Sequence, residues 1–240
     1  MKKNEKLYEG KAKIVYSTDD PELVIQFFKD DATAFDGIKK GQIGGKGVAN
    51  NLISCQLFSF LENNGIATHF IKKLSDNEML VRRVKIIPVE LVVRNVAAGS
   101  LCKRYGVPEG QVFSEPIVEC YYKNDAFHDP AMNDDHIIRF NLANADELST
   151  IKATALRINQ ILKEYFDSIG IILVDFKLEF GRYNDQILLA DEISPDTCRF
   201  WEKGTNRKLD KDRFRFDLGE VKEAYTEMLC LMLKNRQRTK

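Results

Sequence analysis

Apolar side chains recur at steps of three and four between Asp146 and Ile169: Leu148, Ile151, Ala155, Ile158, Leu162, Tyr165 and Ile169. Steps of that size place them on one stripe of an α-helix, and Gly170 is a natural C-terminal stop. A second stripe, Leu218, Val221, Tyr225, Met228 and Met232, predicts a last helix over about Asp217 to Asn235. A third predicted helix carries Leu52, Ile53, Leu57, Phe58 and Leu61, with Asn50 or Asn51 as its cap and Asn63-Asn64-Gly65 as its stop. The rest of the first third reads as strand. Lys6 to Tyr8 and Lys13 to Tyr16 flank a turn at Glu9-Gly10-Lys11, and Asp19-Asp20-Pro21 leads into Leu23 to Phe28. Short strands are predicted near Thr68 to Lys72 and Met79 to Val84, then a longer one over Ile87 to Asn95. Gly99-Ser100-Leu101 opens a short predicted helix that ends at Gly106. The shift from strand-rich to mixed character near Arg83 to Lys85 predicts two domains, residues 1–84 and 85–240.

The segment from Ile171 to Gly181 alternates differently. In a strand, successive side chains point to opposite faces. Val174, Phe176, Leu178 and Phe180 then share an apolar face, while Asp175, Lys177 and Glu179 share the other, about 7 Å apart from residue to residue. Arg182-Tyr183-Asn184-Asp185 reads as a hairpin turn into a strand over Gln186 to Glu192, which brings Glu179 and Asp191 opposite or nearly so. Two facing carboxylates repel unless a cation lies between them, and magnesium suits carboxylate and phosphate oxygens. A water-facing hairpin with a Lys-Glu pair explains the same spacing, so both readings stand at this point.

Bulk properties narrow the field. Lys plus Arg and Asp plus Glu each number 36, so the net charge is zero, which argues against a dedicated binder of nucleic acid or of membrane surfaces. Five scattered cysteines, none in a C-x-x-C pair, do not read as a disulfide framework or a zinc site and suit a reducing compartment. Met1-Lys2-Lys3-Asn4-Glu5-Lys6 has no apolar stretch behind it and does not read as a signal peptide, and no apolar run approaches the roughly 20 residues needed to span a bilayer. A cytoplasmic protein is expected. His69, His128 and His136 have no metal-ligand spacing.

Three further segments offer chemistry. Gly10 at a hairpin tip with Lys11 and Lys13 can lie over phosphates, although it matches no established phosphate-loop pattern and an exposed hairpin explains it equally. Arg94 ends an apolar strand, and Ser100 follows a glycine that permits close backbone approach; together they make a phosphate or carboxylate clamp, or a surface arginine beside a helix cap. Asp191 to Trp201 places Asp196 and Arg199 at the end of the second hairpin strand, with Trp201 as a core anchor and Cys198 bland rather than nucleophilic, since no histidine neighbours it in sequence.

At this point the chain resembles the SAICAR synthetase family. Ile87 to Ser100 and Leu173 to Gly181 look like its two signature motifs, and Tyr8 to Lys13, Lys123 to Pro130, Asp191 to Trp201 and Lys211 to Arg215 look like family segments in the family's order. The resemblance implies an α+β fold: a small, mostly antiparallel N-terminal β domain and a larger α+β domain, with ATP in the cleft between them. It implies an ATP-dependent ligase that joins 5-amino-1-(5-phosphoribosyl)imidazole-4-carboxylate (CAIR) to L-aspartate in purine biosynthesis, with Mg2+ as cofactor and a homo-oligomer, commonly a dimer, as assembly. Carried onto this sequence, Gly10, Lys11, Ala12 and Lys13 would cover the ATP phosphates, Val81 to Arg83 would hold adenine, and Lys123 would reach the nucleotide. Glu179 and Asp191 would bind magnesium, and Asp175 and Lys177 would contact the reacting region. Arg94, Ser100 and Arg199, with Asp196 nearby, would hold the ribonucleotide, and Lys211 and Arg215 would receive aspartate carboxylates. Without the resemblance, a small-molecule kinase or a nucleotide-sensing protein would fit the same charge pattern.

Overall fold

The computed structural model describes residues 2–35 and 37–238, with side chains up to 234. The chain opens with β1 (Lys3–Glu9), β2 (Lys13–Thr18) and β3 (Leu23–Phe28), then a small hairpin of β4 (Asp31–Ala34) and β5 (Lys39–Gln42). Helix α1 (Lys46–Asn63) precedes β6 (Phe70–Lys73) and β7 (Glu78–Arg82). These strands form an antiparallel sheet in the order β1-β2-β3-β7-β6, with β4-β5 a separate ribbon. The second sheet is built from β8 (Lys85–Val96), β9 (Val112–Tyr122), β10 (Ala131–Met132), β11 (Ile171–Tyr183), β12 (Gln186–Ala190) and β13 (Cys198–Glu202). Its order is β10-β9-β8-β11-β12, and β13 pairs with the first half of β11. Between them come α2 (Ser100–Tyr105), α3 (Asp134–Arg139) and α4 (Ala145–Ser168), and the chain closes with α5 (Asp212–Arg215) and α6 (Val221–Arg238).

Helix α4 forms where its stripe predicts. Asn144 caps it, accepting the Glu147 N–H, while the Glu147 carboxylate accepts the Asn144 N–H. Leu148, Ile151, Ala155, Ile158, Leu162 and Phe166 are buried against Leu91 and Val93 of β8 and Phe176, Leu178 and Phe180 of β11. Each fully buried Leu, Ile or Phe contributes about 1.5–3 kcal/mol, so packing rather than local propensity fixes the helix. One polar residue sits on this face: Asn159 exchanges two hydrogen bonds with Asn95, at 2.8 and 2.9 Å.

Two helix starts differ from the sequence reading. Helix α1 begins at Lys46 behind Gly45, and Asn50 and Asn51 lie buried inside it rather than capping it. The Asn51 side chain donates to the carbonyls of Ser75, Asp76 and Glu78, tying the β6-β7 turn to the helix. Gly47 lets this helix start press on β3: a Cβ there would stand 2.4 Å from the Phe28 carbonyl oxygen. That contact drives Lys46 into the interior. Helix α6 starts at Val221, not Asp217, so Leu218 lies outside it and is exposed, while Tyr225, Met228 and Met232 are buried as its stripe requires.

Candidate active site

Strand β11 is the spine of the site. Its even-numbered residues Val174 to Phe180 are buried in the core, and Asp175, Lys177 and Glu179 face a cleft of about 520 Å³. The water-facing alternative is overturned, because Asp175 is 3% and Glu179 2% exposed. The β1-β2 turn, residues Gly10 to Lys13, borders one side of the cleft. Lys123, from the segment after β9, and Arg94 from β8 line it, as do Asp191, Asp196 and Arg199 from the β12-β13 region. Lys211 and Arg215 complete it from the α5 segment.

Three groups of charges organise this space. In the first, the Lys13 ammonium bonds Asp191 and lies 3.0 Å from Glu192. Lys123 and Lys177 each meet Glu179 at 2.7 Å, and Lys177 also reaches Glu90 at 2.9 Å. Glu179 pairs in register with Ala190, so Asp191 is the next residue, just past the strand end, with φ 62°. This left-handed turn is uncommon for an L side chain other than Asn or Asp. Burial works against the Asp191 charge, yet Lys13, Lys177 and Lys123 outweigh it and hold its pKa well below the usual carboxylate range. Burial and the Asp191 charge push Glu179 up, but Lys177 and Lys123 bring it below its ordinary value. Burial likewise opposes the Lys13 charge, while Asp191 and Glu192 raise its pKa. Lys13, Asp191 and Glu179 are therefore held in their charged forms.

In the second group, Asp175 is held between two guanidinium groups: Arg94 Nη1 at 2.7 Å, and Arg199 Nη1 at 3.0 and 2.8 Å from its two oxygens. Arg94 also bonds Glu119 and reaches Ser100 Oγ at 3.3 Å. Arg199 Nε donates to Asp212 at 2.8 Å, and Asp212 takes a second bond from Arg215 at 2.6 Å. Behind Asp212, Asp210 accepts the main-chain N–H groups of Asp212 and Phe200 at 2.7 and 2.8 Å. Gly99 is what lets Arg199 lie flat here. Its backbone sits at φ 58°, ψ −125°, and an added Cβ would stand 2.3 Å from Arg199 Nη2. Gly99→Ala is expected to displace the Arg199 guanidinium and to cost about 1–3 kcal/mol of backbone strain. Steady-state kinetics should show a raised KM for whichever substrate carries the anion bound by Arg199, with the KM for a ligand under the β1-β2 turn little changed.

The third group centres on Asp196. Lys46, only 1% exposed, bonds it at 2.8 Å, Tyr225 Oη donates at 2.6 Å, and Lys211 stands 3.6 Å away. Burial opposes its charge, but Lys211 and Lys46 hold its pKa far below the usual value.

The cleft thus gathers Gly10 to Lys13, Lys123, Arg94, Asp175, Lys177, Glu179, Asp191, Asp196, Arg199, Lys211 and Arg215. Ser100 stands behind Arg94 as its hydrogen-bond acceptor. Two further expected residues do not line it. Val81 is 1% exposed in the core, paired between Val24 and Phe70, because β7 is an interior strand. Arg83 is exposed, and its main-chain N–H is taken by Glu22. Sequence reasoning missed Lys46, Glu90, Glu119, Asp212 and Tyr225. Lys46 carried the one readable signal, a lysine within Gly44-Gly45-Lys46-Gly47. Cys198 is buried, and all five cysteines are free.

A layered set of cations around aligned acids, under a glycine turn, is a site for several anionic groups held at once. The SAICAR synthetase family profile matches residues 6–231. Phosphoribosylaminoimidazole-succinocarboxamide synthase of Persephonella marina is 59% identical over 229 residues, covering 95% of this chain and 96% of its own. That of Caldanaerobacter subterraneus is 60% identical, with 95% and 97% covered. Among solved structures, the synthase of Ehrlichia chaffeensis superposes with a TM-score of 0.93 at 50% identity, covering 95% of this chain and 98% of that one. A SAICAR synthetase in complex with ADP gives a TM-score of 0.91 at 53% identity, covering 94% and 96%. With the family profile spanning nearly all of its length and with this depth of identity, the chain belongs to the SAICAR synthetase family.

Proposed function

We propose that the cleft of β11 is where this chain carries out its family's reaction, the ATP-dependent condensation of CAIR with L-aspartate to SAICAR, ADP and phosphate. The observation that carries the assignment of roles is the acid, base, acid row of Asp175, Lys177 and Glu179, with lysines at one end and arginines at the other. A carboxylate is a poor electrophile. Phosphorylation by ATP turns the CAIR carboxyl into an acyl phosphate, with phosphate as leaving group, and the aspartate amine then attacks it. The protein's work is positioning and charge neutralisation.

Lys11, Lys13 and the main chain of Gly10 and Ala12 cover the nucleotide phosphates, and Lys123 reaches them from the segment after β9. Arg94, with Ser100 behind it, and Arg199 hold the ribonucleotide phosphate, and Lys177 faces the reacting carboxyl. Lys211 and Arg215 face aspartate, beside Asp196. Residues 1–84 then cover the nucleotide, and 85–240 carry the ribonucleotide.

The residues fit magnesium. Glu179 and Asp191 are ionised oxygen donors close enough to repel. Among the described residues no three His, Cys, Asp or Glu side chains gather as a protein-only cage. That donor set matches a cation which takes one or two carboxylates and completes its shell with phosphates and water. When bound, the ion would neutralise phosphate charge. Lys13, Lys123 and Lys177 do the same from the protein side. Among the described residues no helix is long and apolar enough to cross a membrane.

Incubating the protein with magnesium, ATP, CAIR and L-aspartate, and omitting each in turn, tests the reading by mass spectrometry of ADP and the condensed product. Product that requires all four is expected. ADP formed with no need for aspartate would replace this reading with a kinase, and ATP binding without turnover would replace it with a sensor.

A further inference from the structure

The aspartate amine reaches the enzyme as an ammonium and has no lone pair with which to attack. A group in the cleft has to take its proton. Among the described residues five lysines line the cleft, and four of them are spent on carboxylates within hydrogen-bond distance. Lys11 meets Asp125 at 2.7 Å, Lys13 bonds Asp191 and Glu192, and Lys123 and Lys177 share Glu179. Lys211 differs. The carboxylate it pairs with, Asp196, is 3.6 Å away, too far for a hydrogen bond.

Asp196 is oriented by other partners. Lys46 holds Oδ2 at 2.8 Å and the Tyr225 hydroxyl donates to Oδ1 at 2.6 Å. Lys46 is itself sealed in the interior by the packing of α1 on β3, so it does not move aside. The Lys211 side chain is 12% exposed, at the cleft wall. It stands beside Arg215, which is well placed to receive an aspartate carboxylate while Lys211 meets the amine.

We propose that Lys211 is the general base that removes a proton from the aspartate ammonium before the amine attacks. The proposal rests on the ligase reading of the cleft. The neutral Nζ of Lys211 takes one proton from the ammonium and becomes Lys-NH3+. The freed lone pair forms the C–N bond at the acyl phosphate carbon, and the C–O bond to phosphate breaks. The second amine proton leaves with the phosphate, and Lys211 returns its proton to water after product release.

The surroundings ease loss of its proton. Burial lowers the Lys211 pKa, Arg215 of α5 and Lys46 of α1 lower it further, and Asp196 and Glu192 of the β12-β13 loop oppose them without restoring the ordinary value. The Tyr225 hydroxyl, from α6, bonds the far side of Asp196. The pKa of each of three other lining lysines, Lys13, Lys123 and Lys177, is raised, so those three stay charged. A lysine with a lowered pKa is the pattern that suits proton abstraction.

The test is the kcat–pH profile of Lys211→Arg beside that of the unaltered enzyme, with hydroxylamine as a second nucleophile. Arginine keeps the charge and any carboxylate contact but does not give up its proton. The variant is expected to lose about 10²–10⁴-fold in kcat with aspartate, the ordinary worth of a general base, with a small change in aspartate KM. The kcat of the unaltered enzyme should rise with pH as Lys211 deprotonates, and this limb should vanish in the variant. Hydroxylamine is already neutral near neutral pH, so the variant should still convert CAIR and ATP to the hydroxamate at a rate close to that of the unaltered enzyme. That product also shows that the variant is folded and can activate the carboxyl. A variant that keeps its kcat and its acid limb with aspartate would overturn the proposal. So would Lys211→Ala if it raised aspartate KM alone. Absence of hydroxamate from an unaltered enzyme that still makes the amide would overturn the acyl phosphate instead, and the aspartate profile of Lys211→Arg would decide the role of Lys211 by itself.

Discussion

Replacing Asp191 with asparagine is expected to lower turnover by at least about 10²–10³-fold, the cost of removing one preorganised charge from a site that stabilises transferring phosphate. The fold should survive. Asparagine is nearly isosteric with aspartate and tolerates the φ of 62° at this position, so no backbone strain is added. Lys13 keeps Glu192 at 3.0 Å as a second partner, which limits the penalty for the lost charge. Asparagine lacks the negative charge that draws a divalent cation, so the apparent affinity for magnesium should fall with the rate. The measurement is a magnesium titration of turnover, paired with a thermal melt. A fully active Asp191→Asn enzyme with unchanged magnesium dependence would remove Asp191 from the proposed metal pair.

The second large effect belongs to a residue outside the cleft wall. Asp212 is fully buried and holds Arg199 at 2.8 Å and Arg215 at 2.6 Å. Asp212→Ala would leave two half-buried arginines short of their acid, and breaking a buried pair from one side costs about 3–5 kcal/mol. Chemical denaturation should show that loss as a lower midpoint with an unchanged slope. Asp212→Asn keeps the shape and one acceptor oxygen, and it should cost less in stability. It should still raise KM for CAIR and for aspartate together, because Arg199 and Arg215 face different substrates in the proposed site. A rise in only one of the two KM values would show that Asp212 does not position both arginines.

The sequence made the spine of the site legible because strand alternation is a local property. Once Val174, Phe176, Leu178 and Phe180 are read as one face, Asp175, Lys177 and Glu179 have to share the other. Helix α4 was legible for the same reason, its period and its stop being written within a short span. What stayed hidden are the partners supplied from far along the chain. Nothing near Asp196 announces that Lys46, 150 residues earlier, and Tyr225, 29 residues later, neutralise it. Asn50 and Asn51 look like caps because asparagine usually prefers helix ends, yet tertiary packing starts the helix earlier and gives Asn51 three turn carbonyls to bind. Which of two readings applied to the β11-β12 hairpin was also undecidable locally. Whether an acidic face meets water or a wall of lysines depends on β2 and β9, not on the hairpin.

The Tyr225 bond to Asp196 has a consequence for how the enzyme comes into being. A ribosome makes the chain from its N-terminus, so the β1-β2 turn, Lys46 and the whole β11-β12 hairpin emerge before helix α6. Until that helix docks, Asp196 has its lysines but lacks the hydroxyl that Tyr225 donates, and the wall that carries Lys211 lacks its backing. The β11 spine draws its partners from β8, β12 and β13, and the aspartate side waits on α6. The aspartate side of the cleft is thus completed by a helix that follows every strand of the sheet, whereas the β11 spine is paired with strands alone.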